Sequence, residues 1–348
     1  MYRLILMVVF LIAGCTTVPI ENSRVSIMTF NVENLFDTTH DEGKNDYSYL
    51  PLSTKSDPEH IKRCKEIEVE HWRNQCLYWD WNDRIVTQKL SRIASAIRQI
   101  QEGPDIIVFQ EIENRGVLER LRQDYLSDLN YLPSVLLEGN DDRGIDVAFL
   151  SKLPLVGEAE LHDIVFREIS EEREADTRGI LKATFSLPDN TLLTGFAVHF
   201  PAPYHPTELR EDAYNTLNQL LESLPGDRLA FAAGDFNTTS TEDQAKKMLR
   251  RFVEGDWHVA HQSCLNCRGT HYYGPADNWS FLDMILLSRN FGVSSDDSWW
   301  FDRSSVRLVN DSPYQVTSEG TPARFQLPEP SGLSDHWPLA ATIRHGAQ

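Results

Sequence analysis

Basic charge is scarce in this chain: 33 Lys and Arg stand against 52 Asp and Glu, a formal charge of −19. Such a surface repels polyanions at long range, which disfavours a processive or tightly held nucleic-acid ligand and leaves transient encounters through local arginines and a bound cation. No basic, aromatic-interleaved helix or loop marks a committed DNA groove. Long apolar runs are missing too. The run from Leu4 to Ala13, behind the cationic Arg3, is too short to span a membrane comfortably and ends in small residues, the pattern of a cleaved export signal. There is no GxxxxGK(S/T) loop, no GxSxG elbow and no HExxH, which removes three common catalytic templates. Internal repeats and low-complexity tracts are also absent.

Cysteine is sparse at five. Ile12-Ala13-Gly14-Cys15 resembles a bacterial lipoprotein box, which implies a signal peptide at 1–14 and a lipidated tether at 15–23 that fixes the chain to a membrane of the cell envelope through Cys15. Thr16 after the cysteine points to the outer membrane; an ordinary signal peptide, giving a periplasmic or secreted protein, is the rival reading. Cys64, Cys76, Cys264 and Cys267 form an even set in a chain bound for an oxidising compartment, so two disulfides are expected. Proximity favours Cys64 with Cys76 and Cys264 with Cys267, but three connectivities are open. Zinc at Cys264 and Cys267 is the alternative, with His258, His261 and His271 nearby, although a single CxxC is a poor zinc signature. Those three histidines otherwise read as surface or loop residues.

What is present is enough for a large core: 348 residues with 41% hydrophobic composition. Alternation over Val25 to Asn31 predicts a strand, and a polar stretch from about 37 to 82 reads as an insertion stapled by a disulfide. Within it, Asp37, Asp41 and Asp46 miss EF-hand spacing and read as a solvated acidic loop. Val86, Leu90, Ile93, Ile97 and Ile100 lie at helical spacing before Gly103-Pro104, and DIIVFQE follows as a buried strand. Further strands are predicted at Gly144 to Leu150, Gly179 to Phe185, Thr191 to Phe200, Arg228 to Gly234, Phe281 to Leu287 and Trp337 to Ile343. A helix capped by Thr207 carries Leu209, Ala213, Leu217, Leu220 and Leu224 on one face. Ser288 to Ser334 reads as long loops. Strands in adjacent runs as well as alternating with helices favour an α/β (α+β) fold of stacked mixed sheets over a doubly wound parallel sheet.

Several of these strands end in polar residues that a core strand does not need. Asn31 and Glu33 are two apart, as are Asp235 and Asn237, so each pair presents two oxygen-bearing groups to one side. Glu111 ends DIIVFQE, His199 ends FAVHF, Asp283 interrupts FLDMILL, and Asp335-His336 precedes WPLAATI. A carboxylate in the middle of FLDMILL requires a partner. Carboxylates and amides at strand ends are hard oxygen ligands that suit Mg²⁺, with Mn²⁺ or Ca²⁺ as alternatives. An ion so held keeps open positions for water and a phosphate oxygen, which makes this a site for hydrolysing phosphate esters.

The ordered set TFNVENLF, VFQEIEN, RGIDVAFLS, TRGILKATF, AVHF, AGDFN, LDMILLS and SDHWPL is similar to the endonuclease/exonuclease/phosphatase superfamily over about residues 24–344. That superfamily includes pancreatic-type deoxyribonucleases, abasic-site endonucleases, neutral sphingomyelinases and inositol polyphosphate 5-phosphatases. The resemblance implies one catalytic domain, a four-layered sandwich of two mixed sheets flanked by helices. It implies metal ligation by Glu111 and Asn31 with Asp335 beside the ion, and phosphate contacts from Asn31, Asn237 and Arg178. Asp235 would orient or deprotonate the attacking water, Asp283 would orient His336 against the phosphate, and His199 is a candidate general acid. Two departures stand out: Glu33, where other branches carry Asp or an apolar residue, and PAPYHP after AVHF, without the usual Ser or Thr. The function expected is metal-dependent phosphodiester hydrolysis by activated water, with extracellular or periplasmic nucleic acid as substrate and the protein acting as a monomer. Rivals are a sphingomyelinase-like lipid or inositol-phosphate phosphoesterase and a surface binding module without turnover.

Overall fold

Runs rich in Val, Ile, Phe and Ala pair into two six-stranded mixed sheets. The computed structural model describes residues 23–167, 177–292 and 298–346; Cys15, the signal segment and all of the tether but Ser23 lie outside them. The first half contributes β1 (Arg24–Leu35), β2 (Ile106–Ile112), β3 (Val135–Leu136), β4 (Asp146–Ser151), β5 (Glu160–His162), β6 (Ile180–Ser186) and β7 (Leu192–His199). The second contributes β8 (Leu229–Asp235), β9 (Trp257–Val259), β10 (His271–Tyr273), β11 (Asn278–Ser280), β12 (Asp283–Ser288), β13 (Trp299–Leu308) and β14 (Leu339–His345). One sheet runs β13-β14-β1-β2-β4-β3 and the other β5-β6-β7-β8-β12-β9, while β10 and β11 form a separate hairpin. Among the described strands, β1 with β2 and β7 with β8 pair in parallel, which requires crossover connections.

Period-two alternation explains how the sheets stack. Ile27 on β1, Val108 on β2, Phe149 on β4, Phe231 on β8, Ile285 on β12 and Leu339 on β14 fill the dry space between the sheets. The alternate residues, such as Phe30, Ile107 and Phe109, face outward. They pack on Ile85, Leu90, Ile93 and Ile97 of a helix at Asp83–Ile97. Phe196, Ala230 and Met284 likewise receive Leu209, Ala213 and Leu217 of the helix Thr207–Glu222. The result is helix, sheet, sheet, helix, the expected four layers.

The eight predicted strands form within a few residues of their expected limits, and three local expectations are corrected. Ser288 to Ser334 is not all loop: β13 is a ten-residue strand on the edge of the first sheet, paired with β14 through a register shift between Asp302 and Arg307. Thr207 is the first helical residue, and Pro206 occupies the cap position without a side-chain bond. Asp46 is buried rather than solvated, paired with His40 and accepting from the Asp41 amide. The polar stretch after β1 contains two short helices, Pro58–Lys65 and Glu70–Tyr78. A disulfide between Cys64 and Cys76 joins them, and a second links Cys264 to Cys267. Among the described residues no helix is long and apolar enough to cross a membrane.

Candidate active site

The inward-facing positions of the sandwich turn polar at one end. On β1 the inward series Val25, Ile27, Thr29 continues to Asn31; on β8, Leu229, Phe231, Ala233 continues to Asp235. The two series meet across the sheets, Asn31 Nδ2 donating to Asp235 Oδ2 at 3.2 Å. Asp235 is flanked in register by His199 on β7 and Asp283 on β12, both also inward. Packing thus carries a row of titratable side chains, His199, Asp235 and Asp283, to the rim of the dry interface.

Glu111 does not follow that alternation. Ile106, Val108 and Gln110 point inward along β2, so the next residue belongs to the outer face. The pairing slips there, between Asn31 and Leu35 on β1 and between Gln110 and Ile112 on β2, and Glu111 takes a positive φ of 65°. This is a bulge: an extra residue that re-aims its side chain. It brings Glu111 Oε1 within 3.3 Å of Asn31 Nδ2. Glu33, Asn34 and Asn237, at φ 53°, 63° and 51°, share the left-handed conformation. Four non-glycine residues in that sparsely allowed region at one end of the fold mark strain held by the surrounding packing. Gly234 is required for a different reason: at φ 149° a Cβ would lie 1.9 Å from the Val198 carbonyl oxygen. The glycine lets β8 approach β7 closely just before Asp235.

His336 arrives on the segment before β14. That segment is tied down by the helix Asp83–Ile97, whose buried Lys89 donates to the Leu333 and Glu33 carbonyls at 2.6 and 3.0 Å. Ser334 Oγ donates to the Asn31 carbonyl at 2.7 Å and accepts from the His336 amide at 3.0 Å. His336 Nδ1 lies 2.7 Å from Asp283 Oδ2, the partner that the buried carboxylate required. Its Nε2 is left 4.0 Å from Asp235 Oδ2 and 4.0 Å from Asp335 Oδ1. Burial alone would depress the imidazole, but Asp283 outweighs it, with Asp235 and Asp335, and holds His336 well above its usual pKa. Asp235 is pushed up to about 7 by burial, with His336 opposing and Asp283 adding to the rise. Burial, then Arg178 and Arg143, keep His199 well below its usual value and neutral.

The remaining predicted residues fall as follows. Asn237 donates its amide N–H to Asp235 Oδ1 at 2.9 Å and its side-chain Nδ2 to the Phe200 carbonyl at 3.0 Å. Arg178 is mostly buried, 3.3 Å from Asp141 and within electrostatic reach of His199. Asp335 accepts from Arg324 Nη2 at 2.6 Å; burial would raise its pKa, but His336 and Arg324 bring it below the usual carboxylate value. Glu33 also binds Arg324, at 2.7 Å, and accepts from the Phe325 and Asp335 amides. Its carboxyl, pushed up to about 8 first by burial and then by Asp335, holds this loop in place. The glutamate that departs from the family pattern is therefore a brace for the segment bearing Asp335 and His336.

Three participants, Arg143, Ser334 and Arg324, and one neighbour of the site, His271, were missed in the sequence. Arg143 and Ser334 begin two of the quoted motifs, RGIDVAFLS and SDHWPL, so their signal was present. Arg143 lies within electrostatic reach of Glu111. Arg324 and His271 carry no local signal. His271, expected on the surface, is partly buried with its ring centroid 5.0 Å from that of His336, and burial followed by the His336 charge lowers it to about 4.

Asp235, Asp283 and Asp335 converge on His336, Arg324 also binds Asp335, Arg143 lies near Glu111, and Asp283 Oδ1 is buried with no hydrogen-bond partner among the described residues. This carboxylate-rich cluster fits a divalent cation, and Glu111 and Asp335, with the Asn31 oxygen once its amide turns from the Glu33 N–H, are the donors that would hold one.

The sequence profile of the Endonuclease/Exonuclease/phosphatase family matches residues 28–336. No curated protein matches the chain at a significant level. Among solved structures, an endonuclease/exonuclease/phosphatase family protein from Bacteroides thetaiotaomicron is 15% identical with a TM-score of 0.57, covering 93% of this chain and 98% of that one. A mannosyl-6-phosphatase from the same organism is 14% identical with a TM-score of 0.55, over 92% and 99% of the two chains. D. rerio TDP2 complexed with a single-strand DNA product is 15% identical with a TM-score of 0.54, over 92% and 99%. At these identities the likeness is one of fold.

Proposed function

The chain belongs to the endonuclease/exonuclease/phosphatase family, whose members are hydrolases acting on phosphoester bonds and generally depend on a divalent metal, and from that premise we propose that it is a Mg²⁺-dependent phosphodiesterase acting on nucleic acid. The observation that carries this reading is the Asp235 carboxylate, 3.2 Å from Asn31, 3.5 Å from His199 and 4.0 Å from a His336 that Asp283 holds protonated. A base, the Asn31 amide and a cationic donor facing one space match the demands of water attack on phosphorus.

Asp235 accepts the proton of the attacking water. Asn237 and the imidazolium of His336 donate hydrogen bonds to phosphate oxygens, and Arg178 and Arg143 add positive charge. When bound through Glu111, Asn31 and Asp335, Mg²⁺ supplies Lewis-acid charge for the phosphoryl and leaving oxygens and activates water. In-line displacement puts the leaving oxygen on the side of phosphorus opposite the attacking water. Both His336 and His199 lie within 4.0 Å of the Asp235 carboxylate, on the attack side. We therefore assign them to the phosphate and the water rather than to the leaving group; His199, kept neutral, serves as a hydrogen-bond donor instead of the general acid that its motif position suggests.

Nucleic acid is favoured as substrate by the D. rerio neighbour, described with a single-strand DNA product. Exposed Tyr204, which follows the His199 strand in the PAPYHP segment and lies within electrostatic reach of Arg143, offers a surface for stacking a base. The reading includes a monomer tethered to the cell envelope by lipidated Cys15, which rests on the sequence motif. The test is Mg²⁺-stimulated hydrolysis of bis-p-nitrophenyl phosphate, followed by a panel of plasmid DNA, RNA, sphingomyelin, inositol phosphates and mannose 6-phosphate. Release from the diester and cleavage of DNA or RNA are expected. Intact nucleic acid beside turnover of a lipid or sugar phosphate would refute the substrate, and no turnover with any divalent ion would refute the enzyme.

A further inference from the structure

The hairpin of β10 and β11 sits beside the site and is tied to it through backbone contacts: His271 bridges to His336, and the Trp337 amide donates to the Thr270 carbonyl at 2.8 Å. That contact places a second imidazole next to the first. One ligand atom each of His271, Asp335 and His336 lie within 4.8 Å of one another. Arg324 occupies Asp335 Oδ2, leaving Oδ1 toward His336 Nε2. Asp283 holds the other nitrogen of His336 at 2.7 Å, the carboxylate-to-imidazole arrangement that orients histidine ligands in metal sites. The His271 ring has no hydrogen-bond partner among the described residues.

This set shares Asp335 with the proposed Mg²⁺ ligands but puts two imidazoles in place of Asn31 and Glu111. Nitrogen-rich sets select zinc-like ions over magnesium, and tetrahedral zinc at about 2.0–2.1 Å from each nitrogen requires donors about 3.3 Å apart. Rotation of the half-buried His271 and Asp335 side chains by about 1.5 Å toward the buried His336 closes the gap from the observed spacing. We propose that His271, Asp335 and His336 form a second, Zn²⁺-selective site that switches the enzyme off by capturing His336 Nε2. The inhibition rests on the function proposed above, because it removes His336 from the phosphate; the binding does not.

Calorimetric titration of the full chain with ZnCl₂ in excess Mg²⁺ separates the two. Wild type should bind one more Zn²⁺ than His271→Gln, or bind it at least about tenfold more tightly, and Asp335→Asn should weaken the same site. Hydrolysis of bis-p-nitrophenyl phosphate should be inhibited by Zn²⁺ in wild type, with the midpoint raised about tenfold in His271→Gln while its Mg²⁺ activity without zinc stays within about twofold. Equal zinc binding by wild type and both variants overturns the site. Binding lost in His271→Gln without inhibition of wild type overturns the switch. A chain with no phosphodiesterase activity still answers the binding question, and if thermal melting shows His271→Gln unfolded, Asp335→Asn carries the test.

Discussion

The middle and the end of the same strands do opposite work on the same face. Along β8, Phe231 and Ala233 lie buried between the sheets with no side-chain hydrogen-bonding duty, while Asp235, on the same face, is a carboxyl whose ionisation burial resists. Along β12, Ile285 and Leu287 contrast with Asp283 in the same way. The apolar stretch stabilises the sandwich and fixes the register; the register then places polar residues that are locally unfavourable. Stability and chemistry are separated by one or two residues of strand, which makes the contrast open to mutation.

The largest effect is expected at the rim. Asp235→Asn removes the base and should lower kcat by about 10³-fold or more, measured on a phosphodiester under saturating Mg²⁺. Its stability should move the other way. In the folded metal-free chain burial pushes the Asp235 carboxyl up to about 7, from an ordinary value of 3.8. More protons are bound folded than unfolded across that window, so stability falls as pH rises from about 4 to about 7. Asp235→Asn should flatten this fall in thermal melts, and added Mg²⁺ should offset it in wild type at pH 8. An equally steep melt profile in the variant would break the contrast.

In the middle of the same strand, Phe231→Ala should cost about 3–5 kcal/mol of stability, read from denaturant melts, with kcat unchanged at temperatures where the variant is folded. A large loss of kcat in a folded Phe231→Ala would show that the core and rim are not separable. The smallest effect is expected at Asp283→Asn, which keeps the shape but removes the charge that holds His336 protonated. A loss of about 10–100-fold in kcat is expected. The alkaline limb of the pH profile should move to lower pH, because His336 then loses its proton earlier; an unmoved limb would mean that Asp283 only fills space.

Much of the fold was legible because strands buried on both faces read as continuous apolar runs, as in β7, β8 and β12, while β6 alternates. β13 was not: it is an edge strand, WWFDRSSVRL, whose polar middle coincides with a slip in pairing, and half-exposed residues do not alternate. The site was legible in part for the same reason. Asn31, His199, Asp235 and Asp283 are polar interruptions of apolar runs, and such interruptions are conspicuous. Glu33 was visible but its role was not, since only the fold shows its carboxyl turned to Arg324 and two backbone amides. His271 and Arg324 reach the site through contacts 65 and 11 residues away in sequence, from His336 and Asp335, and nothing local marks them.

Placing this constellation on another two-sheet scaffold becomes a problem of counting. Asn31, His199, Asp235 and Asp283 can be copied onto any strand whose inward phase is known, but Glu111 sits one residue out of step and reaches the cluster only because β2 carries a spare residue. A designer who enforces perfect alternation would send that carboxylate to the helix side. Deleting a single residue at Glu111 would leave the hydrophobic core of β2 intact and remove the glutamate proposed to hold the cation.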